Sequence, residues 1–174
     1  DAALKAMCAA HGRTTVSATR LATGLYRRRV KSIDQMTNRS KANREKRSAD
    51  FEIGYTAPVE ANRSDDGTIK YLFAAGESFI ETVYIPDRDR ATLCVSSQVG
   101  CKLNCRFCMT GKQGFKKNLT ATEIINQIVS VPEFEKLTNI VFMGMGEPLD
   151  NTDQVLKAMQ IPTSEYGFAW WHRR

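Results

Sequence analysis

Apolar and polar positions change period along this chain, and each change marks an element. Over residues 18–29, Leu21, Leu25 and Tyr26 fall on one helical stripe with basic residues elsewhere, which predicts an amphipathic helix. A second short helix is expected near residues 40–48, opened by Ser40 as a cap. The period then drops to two. Residues 70–73 (Lys-Tyr-Leu-Phe) and 79–85 (Phe-Ile-Glu-Thr-Val-Tyr-Ile) flank a turn containing Gly76 and predict a β-hairpin that Pro86-Asp87 ends. Residues 91–97 read as a third strand running straight into a cysteine-rich loop. Thr120-Ala-Thr-Glu123 is a capping box ahead of Ile124, Ile125, Ile128 and Val129, so a helix is expected there, stopped by Pro132. Residues 139–143 (Asn-Ile-Val-Phe-Met) read as a buried strand, followed by the loop Gly144-Met-Gly146-Glu147-Pro148 and a helix over 151–159.

After about residue 90 the order is therefore strand, loop, helix, strand, loop, helix. Such alternation implies βαβ units and a parallel sheet, hence an α/β fold. Both special loops follow strands directly, at the carboxyl ends where α/β folds place their sites, so they are expected on the same side. The chain divides into three expected segments: a basic helical domain at 1–50, a hairpin and linker region at 51–90, and the α/β portion at 91–174.

Length and composition narrow the class. The chain has 174 residues, 42% hydrophobic and 25% charged, which suits one full domain or two small ones with a real core. Eleven Gly and five Pro exclude a fibrous or disordered protein. No apolar run approaches the ~18 residues of a membrane span. The first ten residues mix charges and lack a signal core, so a cytoplasmic protein is expected. The absence of an initiator Met suggests a fragment. The net charge of +6 is uneven: residues 1–47 carry twelve Lys/Arg against three Asp/Glu. A polyanionic partner and a solvated helical face both account for that excess. Between Asp89 and Glu123 there is no acid, whereas Arg90, Lys102, Arg106, Lys112, Lys116 and Lys117 are basic.

That acid-free stretch holds four of the five cysteines. An odd cysteine count without a signal peptide points to reduced thiols rather than a disulfide framework. Cys101, Cys105 and Cys108 form a C-x-x-x-C-x-x-C cluster. Structural zinc wants four closed ligands, which would require Cys94 as well. An iron–sulfur cluster held by three thiolates would leave one iron open. Spacing alone leaves both readings standing.

With the Cys101–Cys108 loop, aromatic Phe107 before its last cysteine, and the Gly144–Pro148 loop in this order, the chain resembles the radical S-adenosylmethionine (radical SAM) superfamily. The runs 90–101, Gln113-Gly-Phe115, Asn118-Leu119 and 143–149 are similar to its RNA adenine-methylating branch, the RlmN/Cfr family. So, upstream, are Leu25-Tyr26, 33–37 and 67–71; the likeness covers residues 18–168. It implies a partial (β/α) barrel of the radical SAM type, with about the first two βα units present, preceded by a small helical domain and a β-hairpin. It implies a 4Fe-4S cluster on Cys101, Cys105 and Cys108. S-adenosyl-L-methionine would chelate the open iron, its amino group held by Gly146 and Glu147. A glycine permits close backbone approach and a carboxylate suits an ammonium.

The implied reaction adds a methyl group to carbon 2 of adenine in 23S ribosomal RNA and transfer RNA. It runs through a methylated protein cysteine and a protein–RNA thioether. Cys94 matches the cysteine that resolves this thioether; as a strand residue it also reads as an inert buried thiol. Glu81 matches the proton acceptor. It alternates with Val83 and Ile85 and so shares their face, where burial would raise its basicity; a plain exposed strand carboxylate is the other reading. The basic amino-terminal segment resembles a domain that grips folded RNA, whose target base must leave its stack. An electron donor such as flavodoxin or ferredoxin, no membrane partner, and a monomeric complete protein are further implications. Carbon-8 methylation, another radical SAM reaction class and a zinc-stabilised RNA-binding module without catalysis are the alternatives. The family's methyl-carrying cysteine and its later barrel units have no counterpart here, and residues 171–174 depart from its pattern. The chain by itself is therefore expected to be inactive.

Overall fold

In the computed structural model, which describes residues 2–10, 15–28, 30, 32–36, 48, 53–165, 167, 168 and 170, the change from helical to strand period separates two units. One comprises Asp1–Tyr55 with Gln160–Arg173, the other Thr56–Met159. In the first, α1 (Ala2–Ala10) and α2 (Thr15–Ala22) precede a π-helical turn over Thr23–Arg27. Cys8, Ala18, Leu21, Val30 and Met36 form its buried core, with Leu4, Leu25 and Ile53 packed against it. Tyr26 and Phe168 meet edge to face at 6.4 Å. The helix expected near 40–48 lies outside the described residues apart from Ser48, as do residues 171–174.

The second unit is built on a five-stranded sheet in the order β1-β2-β3-β4-β7. Its strands are β1 (Glu60–Arg63), β2 (Ile69–Ala75), β3 (Ser78–Asp87), β4 (Arg90–Cys94) and β7 (Asn139–Val141). The first four form an antiparallel meander. The expected hairpin is β2–β3, turning at Gly76 with φ +69°. β4 and β7 pair in parallel, Leu93 opposite Ile140, which completes the expected βαβ crossover. Hairpin and crossover strands thus share one sheet, and β3 runs into β4 without leaving it. A separate pair, β5 (Gln98–Val99) with β6 (Lys117–Asn118), brackets the cysteine loop and the short helix α3 (Met109–Lys112).

The crossover helix is α4 (Ala121–Val129). Thr120 caps it in the expected box: its hydroxyl accepts from Glu123 N, and Glu123 reaches back to the Thr120 amide. Ile124, Ile125 and Ile128 are almost fully buried, each contributing roughly 1.5–3 kcal/mol by the usual scale for such side chains. One face of the sheet joins this core through Ile69, Tyr71, Phe73, Ile80, Tyr84 and Leu93. The other carries Lys70, Leu72, Glu81, Val83 and Cys94, all half-buried or exposed.

Several elements differ from expectation: β1 was not foreseen, the stripe over 18–29 is α-helical only to Ala22, and β3 runs on through Pro86 to Asp87. The strand over 91–97 ends at Cys94, because beyond it the backbone bonds to the glycine loop. β7 is shorter than 139–143 and only half-buried, since β4 alone flanks it among the described residues. The last helix, α5 (Thr152–Thr163), runs past Met159 and includes Pro162, whose missing N–H leaves out the bond back to residue 158. No helix among the described residues is long and apolar enough to cross a membrane.

Candidate cofactor site

The two special loops are stitched together by the segment that leaves β4. Val95 N donates to Val141 O (2.9 Å) and Gly144 N to Val95 O (3.1 Å). Met145 N donates to Ser96 Oγ (2.9 Å), and Ser97 N and Gln98 N both donate back to Met145 O (2.9 and 3.1 Å). Glu147 N donates to Gln98 Oε1 (2.9 Å). The glycine loop therefore lies along residues 95–98, immediately before the cysteine loop begins, on the side expected for both. Gly146 has φ +96°, and a Cβ there would sit 2.5 Å from Gln98 Cβ, so both conformation and space require glycine. Glu147 caps the 3-10 turn Pro148–Asn151, its carboxylate accepting from Leu149 N at 3.0 Å. Half-buried, it keeps acceptor capacity for a cation.

Cys101 and Cys108 are half-buried and Cys105 exposed, and all three are free thiols. Cys108 sits at the N-terminus of α3, where the Gly111 amide leads and burial opposes; with Thr110's help its thiol is held below the usual range. Among the described residues, no three His, Cys, Asp or Glu side chains gather tightly enough to hold one metal ion. The ligands of a cluster bind different irons and need not meet at a point. Three free thiols on one loop, one of them biased toward thiolate, fit a three-thiolate cluster in donor chemistry.

A cleft of about 670 Å³ opens beside the loops, its walls including Lys70, Phe79, Glu81, Met109, Lys116 and Met145. Glu81 does share a face with Val83 and Ile85, but that face is the open one. Its carboxylate lies 3.0 Å from Lys70 Nζ, and both side chains are near half exposed. Glu81 thus stands half-exposed rather than buried: alternation fixed its companions, and among the described residues no element covers them. Cys94 ends β4 directly opposite Val83, two positions along from Glu81 on the same face. Burial pushes its thiol up, partly offset by the Met143 backbone. The described structure brings Glu81 to the cleft with Met145 of the glycine loop, and puts Cys94 on the same sheet face.

Sequence reasoning passed over the residues that assemble this arrangement. Ser96 Oγ donates to Glu81 O at 2.6 Å while accepting from Met145 N. Gln127 on α4 accepts from Thr82 Oγ1 (2.7 Å) and Ser96 N (2.8 Å) and donates to Ser96 O (3.0 Å). Three uncharged polar residues in a row, Ser96-Ser97-Gln98, at the end of a strand were the available signal, since buried polar groups demand partners.

Residues 95–169 match the sequence profile of the Radical SAM superfamily. The chain is 60% identical over 164 residues to a protein of Phocaeicola vulgatus named "Probable dual-specificity RNA methyltransferase RlmN", covering 94% of this chain and 47% of that one. It is 55% identical over 172 residues to the protein of the same name from Parabacteroides distasonis, covering 98% and 50%. Among solved structures it is similar to a radical SAM methyltransferase from Sphaerobacter thermophilus, with a TM-score of 0.85, 37% identity, and coverage of 96% of this chain and 51% of the other. The chain spans about half the length of the curated relatives it matches.

Proposed function

We propose that the chain is the cofactor-binding and thioether-resolving part of a radical SAM RNA adenine methyltransferase acting at carbon 2 in ribosomal and transfer RNA, a reading supported by the superfamily match over residues 95–169 and by the relatives it resembles. The observation that carries this reading is the stitching of the glycine loop onto residues 95–98 beside the three-cysteine loop. Cys101, Cys105 and Cys108 would hold the 4Fe-4S cluster, and Gly146 with Glu147 would hold the amino group of S-adenosylmethionine. When bound, cluster and S-adenosylmethionine supply one-electron chemistry, which a ring carbon without nucleophilic character requires.

Within the chain, Glu81 faces the cleft as the acceptor of the ring proton, with Lys70 holding its carboxylate. Cys94 resolves the protein–RNA thioether; as a nucleophile it must first lose its proton, a loss that burial opposes. Lys70 and Lys116 at the cleft, and the basic excess of residues 1–47, suit a polyanionic substrate. An external electron donor serves the cluster. With three cysteines on the cluster, Cys94 resolving, and Cys8 buried in the helical unit's core, none is left to carry the methyl group. The chain alone therefore does not turn over.

The test is anaerobic reconstitution with iron and sulfide, followed by EPR of the reduced chain with and without S-adenosylmethionine. About four irons per chain and a signal altered by S-adenosylmethionine are expected. Tightly held zinc without such an effect would replace this reading with that of an RNA-binding module. Methylated adenosine formed by residues 1–174 alone would refute the assignment of the five cysteines.

A further inference from the structure

We propose that Gln98 is a positioning residue of the S-adenosylmethionine site, its buried amide setting where the Glu147 carboxylate stands; the inference rests on the role given to Glu147 above. Gln98 has no exposed surface. Its Nε2 donates to Asn118 Oδ1 at 2.8 Å, which fixes the amide's orientation and turns Oε1 toward Glu147 N, 2.9 Å away. Asn118 is itself tied to the turn that follows Glu147, its Nδ2 donating to Asp150 O at 3.3 Å. Gln98 N donates to Met145 O at 3.1 Å, and the stem of the side chain fills the space that a Cβ on Gly146 would need. Gln98 thus meets residues 145, 146 and 147 in turn, the first through its backbone amide and the other two through its side chain.

This arrangement has a functional logic beyond packing. Glu147 lies on a loop whose glycines give it little stiffness of its own. A carboxylate recognises an ammonium group well only if its backbone is already placed, because ordering it during binding costs affinity. Gln98 supplies that order from a rigid strand end, and being neutral it adds no charge to compete with Glu147 for the ligand. Asn118, across the β5–β6 pair, keeps the amide from rotating to present its donor to the Glu147 amide.

The experiment compares wild type with Gln98→Met, which keeps length and burial but removes the amide. Gln98→Glu is included because its protonated form restores both donor and acceptor, and Asn118→Ala because it frees the Gln98 amide from outside the core. Hydrogen exchange of the backbone amides over residues 143–149 is measured on the chain without ligand. Affinity for S-adenosylmethionine is then measured on the cluster-loaded chain, with iron content and thermal midpoint recorded for each variant. Gln98→Met should speed exchange at residues 146–147 and weaken S-adenosylmethionine by about tenfold, the scale of a lost outer-shell partner, with iron content unchanged. Gln98→Glu should recover affinity as pH is lowered, and Asn118→Ala should move both readings the same way by a smaller factor. If Gln98→Met fails to fold, Asn118→Ala decides. Wild-type exchange and affinity in these variants would overturn the positioning role, as would faster exchange with unchanged affinity. If the unsubstituted, cluster-loaded chain itself ignores S-adenosylmethionine, the site reading fails and takes this role with it.

Discussion

Cys94 and Cys108 carry the same group in opposite surroundings. Cys108 receives backbone amides at the start of a helix, which favours the thiolate. Cys94 lies half-buried at the end of a central strand, which favours the thiol. Because a raised pKa means less thiolate at neutral pH, alkylation of Cys94 should be slow at pH 7. It should accelerate only above the ordinary thiol range of about 8.5, as mass spectrometry across a pH series would show. Gly146 is constrained more tightly than either cysteine. Gly146→Ala combines a positive φ with a collision against Gln98. Denaturant unfolding should show a loss of about 1–3 kcal/mol, and a variant as stable as wild type would contradict the close approach described here.

At the scale of elements, α4 is the clearest case of a helix specified by its own start. Thr120→Ala removes the hydroxyl that accepts from Glu123 N. It should cost about 1 kcal/mol in urea unfolding. Glu123 does double duty, bonding the cap and pairing with Lys117 of β6 at 2.7 Å. Burial pushes its carboxyl up, but the Lys117 ammonium and the Thr120 amide and hydroxyl outweigh that and hold it below the ordinary carboxylate value. The folded value being the lower one, its contribution is present above the ordinary glutamate range and fades as pH falls through the folded value. The pair is partly exposed, so Glu123→Gln should cost under about 1 kcal/mol at neutral pH. The urea midpoints of variant and wild type should converge as the pH is lowered below that range; a constant gap would show that the carboxylate's charge is irrelevant.

On the scale of the molecule, the unit Thr56–Met159 is joined through Gln127, whose side chain ties β3, α4 and the segment after β4 at one buried point. Gln127→Leu would fill the volume but strand the Ser96 amide and carbonyl, and unpaired buried groups cost about 1–3 kcal/mol each. A loss of at least about 2 kcal/mol is expected in equilibrium unfolding, together with faster exchange at the Ser96 amide. A loss confined to a few tenths would mean that water replaces the glutamine.

Local chemistry and covalent spacing were enough to read much of this protein from its residues. The capping box at Thr120, the β2–β3 hairpin, the parallel crossover, and the placement of both loops after strands follow from interactions among near neighbours, or from the order of elements. The three loop cysteines and the Gly146-Glu147 pair are equally visible, because their chemistry lies in residue type and spacing. Tertiary structure alone decided the rest. Alternation showed that Glu81 shares a face with Val83 and Ile85, but whether that face is covered depends on what packs there, and it stands open beside Lys70. β7 is half-buried because of its neighbours, not its composition. Gln98 acquires its role only through Glu147, 49 positions away. A buried polar side chain takes its meaning from the partner that satisfies it, and the fold chooses that partner.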